Sequence, residues 1–169
     1  DTQIVTVSDN VAPTITAPAD LTPTTNTGCT ATGVALGSAT TNDNCSVATV
    51  TNDAPAAFPL GATTVTWTVT DGSGNTATDT QIVTVSDDDA PTITCPSDII
   101  TVTSADGTGN CTTAVSLGTP STADNCSVAS VTNDAPAVFP IGTTTVTWTV
   151  TDGSGNTATC TQDVTVTDD

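Results

Sequence analysis

A chain of 169 residues with 18 aspartates and no Lys, Arg, His or Glu has a formal charge of −18 and nothing positive to set against it. That balance excludes attraction to nucleic acid or an anionic membrane. The missing residue types remove most of the side chains used in acid–base or nucleophilic catalysis, so no enzyme is expected.

Residues 1–9, DTQIVTVSD, recur unchanged at 79–87. There they are the last strand of a repeat. The first copy therefore reads either as the closing strand of a preceding repeat in a longer array, or as a donor strand that completes a neighbouring subunit's sheet. Two repeats follow, at 10–87 and 88–169. Pro13 matches Pro91 and Trp67 matches Trp148. At this size each domain sits near the lower limit of what folds alone. No apolar run approaches the ~20 residues of a bilayer-spanning helix, and no membrane insertion is expected.

Within each repeat a short link leads to a PTIT strand with Ile15 or Ile93 pointing inward. Residues 96–103 continue this strand after a proline break. A polar turn follows, at 26–28 or, longer, at 105–110. A strand is predicted from Cys111 to Leu117, then a loop ending in TNDNC (41–45) or TADNC (122–126), then a strand near 128–132. The repeat closes with a hairpin, FPLGATTVTWTVTDGSGNTATDTQIVTV at 58–85 and FPIGTTTVTWTVTDGSGNTATCTQDVTV at 139–166. Val146, Trp148 and Val150 alternate with Thr145, Thr147 and Thr149, the period of a half-buried strand. The DGSGN turn supplies glycine where a hairpin needs positive φ. Only strands and turns are visible. The expected fold class is all-β: two tandem immunoglobulin-like β-sandwich domains of about seven strands each, plus an orphan N-terminal strand.

Six cysteines in two small β domains suggest disulfides and an oxidising, extracellular compartment. Repeat 2 has Cys95, Cys111, Cys126 and Cys160. Repeat 1 keeps Cys29 and Cys45, but has Ala17 and Asp79 where Cys95 and Cys160 would stand. Two positions lost together are most simply one bond lost. The expected pairs are Cys95–Cys160, Cys111–Cys126 and Cys29–Cys45. No CxxC pair and no His supports a zinc site.

Taken together, APTITCP, DNC, FPIGTTTVTWTVTDGSGNTATC and VTV resemble the hyalin repeat (HYR) family over nearly all of both repeats. The resemblance implies an extracellular, tandemly repeated, adhesive or structural module of immunoglobulin-like or fibronectin-III-like fold, without catalysis and without a specified ligand.

In that topology the N-terminal link, one interstrand loop and the last hairpin turn share a pole. In repeat 2 the pole gathers Asp87, Asp88, Asp89, Asp124, Asn125 and Asp152. In repeat 1 it gathers Asp9, Asn10, Asp43, Asn44 and Asp71, while Asp53 is expected at the opposite pole beside the link. Oxygen donors from several segments suit Ca²⁺, and Ca²⁺ is the expected cofactor, at each domain junction. Asp and Asn also favour turns for reasons of their own.

About a quarter of the residues are Thr. Their outward rows suit β propensity on a solvated face, O-glycan attachment, or an ice- or water-ordering array, which sheet twist disfavours. The functional expectation is a structural and adhesive segment of a long extracellular fibre or filament, its partners being identical repeats or subunits. The alternative is a binding module for a glycan or protein at loop tips. The loops are nearly the same in both repeats and lack aromatics, which favours the scaffold.

Overall fold

The structure, a computed structural model, describes residues 1–103 and 111–168. The turn expected at 105–110 lies outside these residues. The chain divides into two units, Asp1–Asp87 and Asp88–Asp169. Among the described residues there is no helix.

Unit 1 contains β1 (Thr14–Thr16), β2 (Thr30–Thr32), β3 (Thr40–Asn42), β4 (Val47–Asn52), β5 (Ala57–Pro59), β6 (Gly61–Asp71) and β7 (Thr76–Val85). β4, β6 and β7 form an antiparallel sheet. Leu21 and Thr24 extend it by bridging, in parallel, to Val83 and Ser86 of the β7 edge. β1 pairs with β3, and β2 with β5.

Unit 2 follows the same plan with β8 (Thr92–Thr94), β9 (Ile99–Val102), β10 (Thr112–Thr113), β11 (Ser121–Ala123), β12 (Val128–Asn133), β13 (Phe139–Pro140), β14 (Gly142–Asp152) and β15 (Thr157–Thr167). Its main sheet runs β12-β14-β15-β9, with β9 parallel to β15. β8 pairs with β11, and β10 with β13.

The long hairpins carry the core. Along β6 and β14 every second residue from Val65 to Asp71 and from Val146 to Asp152 is buried. In unit 1, Val65, Trp67, Val83 and Val85 pack with Phe58 and Ala31. In unit 2, Val146, Trp148, Val164 and Val166 pack with Phe139. Ile15 and Ile93 lie against these clusters, as the alternation of PTIT requires. The strand expected from Cys111 to Leu117 is shorter: only Thr112–Thr113 pair, because the antiparallel partner β13 begins at Phe139, opposite Thr113, and the bend at 137–138 before it offers no strand to Ala114–Leu117. Val115 and Leu117 still reach the core.

Each indole is held by a buried glutamine. Trp67 Nε1 donates to Gln81 Oε1 at 3.2 Å, and Gln81 Nε2 donates to the carbonyls of Ala19 (2.7 Å) and Leu36 (3.1 Å). Trp148 and Gln162 repeat this with Ser97 and Leu117. The glutamine spans the two layers and satisfies the one polar atom of the largest core side chain.

Cys95 and Cys160 are joined, with Cα atoms 5.8 Å apart. The other two expected bonds are corrected. Cys45 is an exposed thiol, so Cys29–Cys45 is not formed. Cys111 also keeps its thiol, so Cys126, which is disulfide-bonded, is not joined to it. The reason is topological. Cys29 precedes β2, whose first residue pairs with Pro59 beside the Gly61 end of β6. Cys45 precedes Ser46, whose carbonyl accepts from Gly72 at the Asp71 end. Eleven residues of strand separate these ends, roughly 30 Å at about 3.3 Å per residue. A disulfide needs Cα atoms within about 7 Å. In unit 2, Cys111 accepts from Ile141 beside Gly142, while Ser127, next to Cys126, accepts from Gly153 at the far end of β14.

Candidate metal centres

Each unit has a head pole, where the chain comes in, and a tail pole, where β7 or β15 ends. The sequence builds the head pole of unit 1 from three local motifs. Asp43 follows β3 and closes the loop on itself: its Oδ2 accepts from the N–H groups of Cys45 (2.9 Å) and Ser46 (2.8 Å). Asp71 ends β6 and organises the hairpin turn. Its Oδ1 accepts from Ser73 N and Asn75 N, and its Oδ2 from Asn75 Nδ2 at 2.7 Å. Gly74, with φ 94°, lets the backbone turn there. Asp9 lies on the incoming link, where its Oδ1 accepts from Val11 N (3.0 Å) and Asn44 Nδ2 (3.3 Å). Asn75 Nδ2 also donates to the carbonyls of Asp9 and Val11, which staples the link to the hairpin.

These turns place carboxylate oxygens of Asp9, Asp43 and Asp71 within 4.8 Å of one another. Asp87, Asp124 and Asp152 are gathered in the same way. Asp124 repeats the Asp43 turn with Cys126 and Ser127, and Asp152 repeats the Asp71 turn with Ser154 and Asn156. Asp71, Asp87 and Asp152 are buried.

Hydrogen bonding keeps several of these groups acidic. The Val11 N–H and the Asn44 amide hold Asp9 below the usual carboxylate range, against burial and the Asp71 charge. The Asn75 side chain and turn N–H groups do the same for Asp71. At Asp152 burial pushes upward, but Asn156 and the turn N–H groups outweigh it. The Asp9 carboxylate, by hydrogen bonding and charge, pushes the neighbouring Cys45 thiol up.

The donor set fits a hard cation. Asp9 Oδ2 and Asp43 Oδ1 in one cluster, and Asp124 Oδ1 in the other, are buried and accept no hydrogen bond among the described residues. A buried carboxylate oxygen without a donor is costly unless a cation faces it. All the clustered donors are oxygens, the chemistry that Ca²⁺ and Mg²⁺ take rather than zinc or copper.

The remaining expected residues lie elsewhere. Asn10 and Asp88 are exposed and outside both clusters. Asp89 accepts from Asn125 Nδ2 at 3.2 Å. Asp53 is not at a pole: its Oδ1 accepts from Thr66 N at 2.7 Å, midway along β6. Residues 43–53 include all of β4, which runs antiparallel to β6 and carries Asp53 away from Asp71. The Asp152-x-Ser154-x-Asn156 spacing, that of the alternate ligands in a calcium loop, points to the turn asparagine of the second repeat; Asn75 is its counterpart in the identical DGSGN turn of the first.

A profile of the HYR domain matches the chain twice, over residues 8–85 and 86–166. A search of curated proteins returned no match. Among solved structures, the chain is similar to Drosophila N-cadherin EC1-4 (11% identity, 93% of this chain and 50% of that one, TM-score 0.46). It is also similar to human protocadherin-24 EC1-2 (14% identity, 95% and 100%, TM-score 0.46). A third is the protocadherin gamma B7 fragment of extracellular cadherin domains 1-4 (12% identity, 95% and 52%, TM-score 0.43). The chain spans about half the length of the N-cadherin and gamma B7 chains. With both repeats matched almost end to end, the chain belongs to the HYR domain family, as a tandem pair.

Proposed function

We propose that the chain is a structural and adhesive segment of a long extracellular repeat protein, whose repeats bind Ca²⁺ at their head poles and thereby form a semi-rigid fibre. One observation carries this reading: the same three-carboxylate cluster stands at the head pole of each repeat, and buried oxygens of Asp9, Asp43 and Asp124 in them accept no hydrogen bond among the described residues. A cation there ties the incoming link to the hairpin turn and to the loop ahead of β4 or β12, three segments that otherwise meet through like charges. The Cys95–Cys160 bond fits an oxidising, extracellular setting. The partners are further copies of the module. Glycans on the Thr rows would be covalent decoration.

Residues 1–8 belong to this reading as the closing strand of another repeat. In β7 the same sequence buries Gln81, Val83 and Val85. Their counterparts Gln3, Val5 and Val7 are exposed. Such a strand fits a preceding repeat of the same array, or a neighbouring copy that accepts it in trans.

A loop-tip receptor is less well supported. The cleft lined by Asp89, Ala90, Thr92, Ala123, Asp124 and Asn125 is shallow and holds no aromatic side chain.

The test is thermal unfolding and small-angle scattering of the 169-residue chain with Ca²⁺ and after chelation. Calcium is expected to raise Tm and narrow the distribution of end-to-end distances. Unchanged Tm and scattering would remove calcium from the proposal.

A further inference from the structure

The cysteine that precedes β4 or β12 stands at the head pole, and the cysteine that precedes β2 or β10 at the tail pole. Cys45 lies two residues past Asp43, and Cys126 two past Asp124. Cys29 and Cys111 lie beside the ends of β7 and β15, where Gly61 faces Val85 and Gly142 faces Val166. The length of β6 or β14 separates the two positions within a repeat. The head-pole position nevertheless takes part in disulfides: Cys126 is bonded, although Cys95 and Cys160 are joined to each other. Cys45 holds the same place and is an exposed thiol.

We infer that Cys45 is half of a covalent joint between modules, and that its partner is Cys111, the tail-pole cysteine that keeps its thiol, of another copy of the chain. The geometry of the fold gives the joint a direction, head to tail, because the two cysteine positions occupy opposite ends of every repeat. The chemistry is ordinary thiol–disulfide exchange. Two protein thiols lose two protons and two electrons and form one S–S bond. A low-molecular-weight disulfide takes them up and leaves as two thiols. The inference goes beyond the calcium proposal and does not depend on it.

The experiment oxidises the 169-residue chain at high concentration with glutathione disulfide, then maps the products with a protease that cuts before aspartate. Each of the six cysteines falls on its own fragment. The expected result is a ladder of multimers under non-reducing conditions, in which fragment 43–52 is joined to fragment 106–123. C45S should stop the ladder while leaving Cys95–Cys160 and the far-ultraviolet circular dichroism unchanged. Fragment 43–52 joined to 20–42, joined to a second 43–52, or still open to alkylation after oxidation would each overturn the inference.

Discussion

Asp79 stands where repeat 2 has Cys160, and its Oδ2 accepts from the N–H of Ala17, the counterpart of Cys95, at 2.8 Å. A hydrogen bond thus ties the first strand of repeat 1 to its last at the place where repeat 2 uses sulfur. The backbone positions are equivalent, so the double substitution A17C/D79C is expected to form a disulfide. A closed loop of this size stabilises by about 2–4 kcal/mol. The measurement is the Tm of the first unfolding transition with and without reductant; D79C alone should lower it, because it removes the acceptor, while A17C alone keeps the backbone donor.

The same carboxylate sets an acid response. The Ala17 N–H, then the Thr80 N–H, hold Asp79 below its ordinary value of 3.8. Its folded pKa is depressed, so its contribution to stability is fully present above the ordinary carboxylate value and is lost as pH falls through the folded one. Asp9, Asp71 and Asp152 add to the loss in the same direction. Stability is expected to fall steeply below about pH 4, and D79A should flatten that fall for repeat 1. An identical acid limb in wild type and D79A would refute the assignment.

Gln162 satisfies Trp148 and two carbonyls inside the core. Q162A strands all three and opens a cavity. The expected loss is about 2–4 kcal/mol, read by denaturant unfolding and by a shift in tryptophan emission. Q81A should do the same in repeat 1.

If calcium sits at the head poles, D43A should remove the calcium-induced rise in Tm for repeat 1 and D124A for repeat 2, each leaving the other repeat's response intact. A ligand at a hundredfold its Kd stabilises by about 2.7 kcal/mol, well within calorimetric reach.

Residues 1–8 make little contact with the folded units, and Ile4 and Val7 are about nine-tenths exposed. Their deletion should leave Tm unchanged in dilute solution. If they serve as a donor strand, deletion should instead abolish concentration-dependent assembly, which analytical ultracentrifugation would show.

The strand pattern was legible because Val, Trp and Thr alternate without interruption through β6 and β14. The Cys95–Cys160 bond was legible because repeat 1 lacks both halves together. The other cysteines misled for a physical reason. Once Cys95 and Cys160 are paired, elimination within the repeat leaves Cys111–Cys126, yet the chain between them travels from one end of the sandwich to the other. The clustered aspartates could be gathered from topology, since links and turns share a pole. Asp53 could not, because its position depends on how far β4 runs along β6. The role of Gln81 was hidden as well: it shares the inward parity of Val83 and Val85, but a polar residue at such a position gives no sign that it points to an indole.

The two long hairpins are so alike that β7 would fit the sheet of unit 2 nearly as well as β15 does. A nascent chain carrying many such modules faces a choice of closing strands at every step. Cys160 resolves that choice in the second repeat, since only a strand bearing sulfur at that rung can be locked to Cys95. Modules with this bond keep the strand they were made with. Modules that carry Asp79 in its place have no such proofreading, and they are where exchange between neighbours would begin.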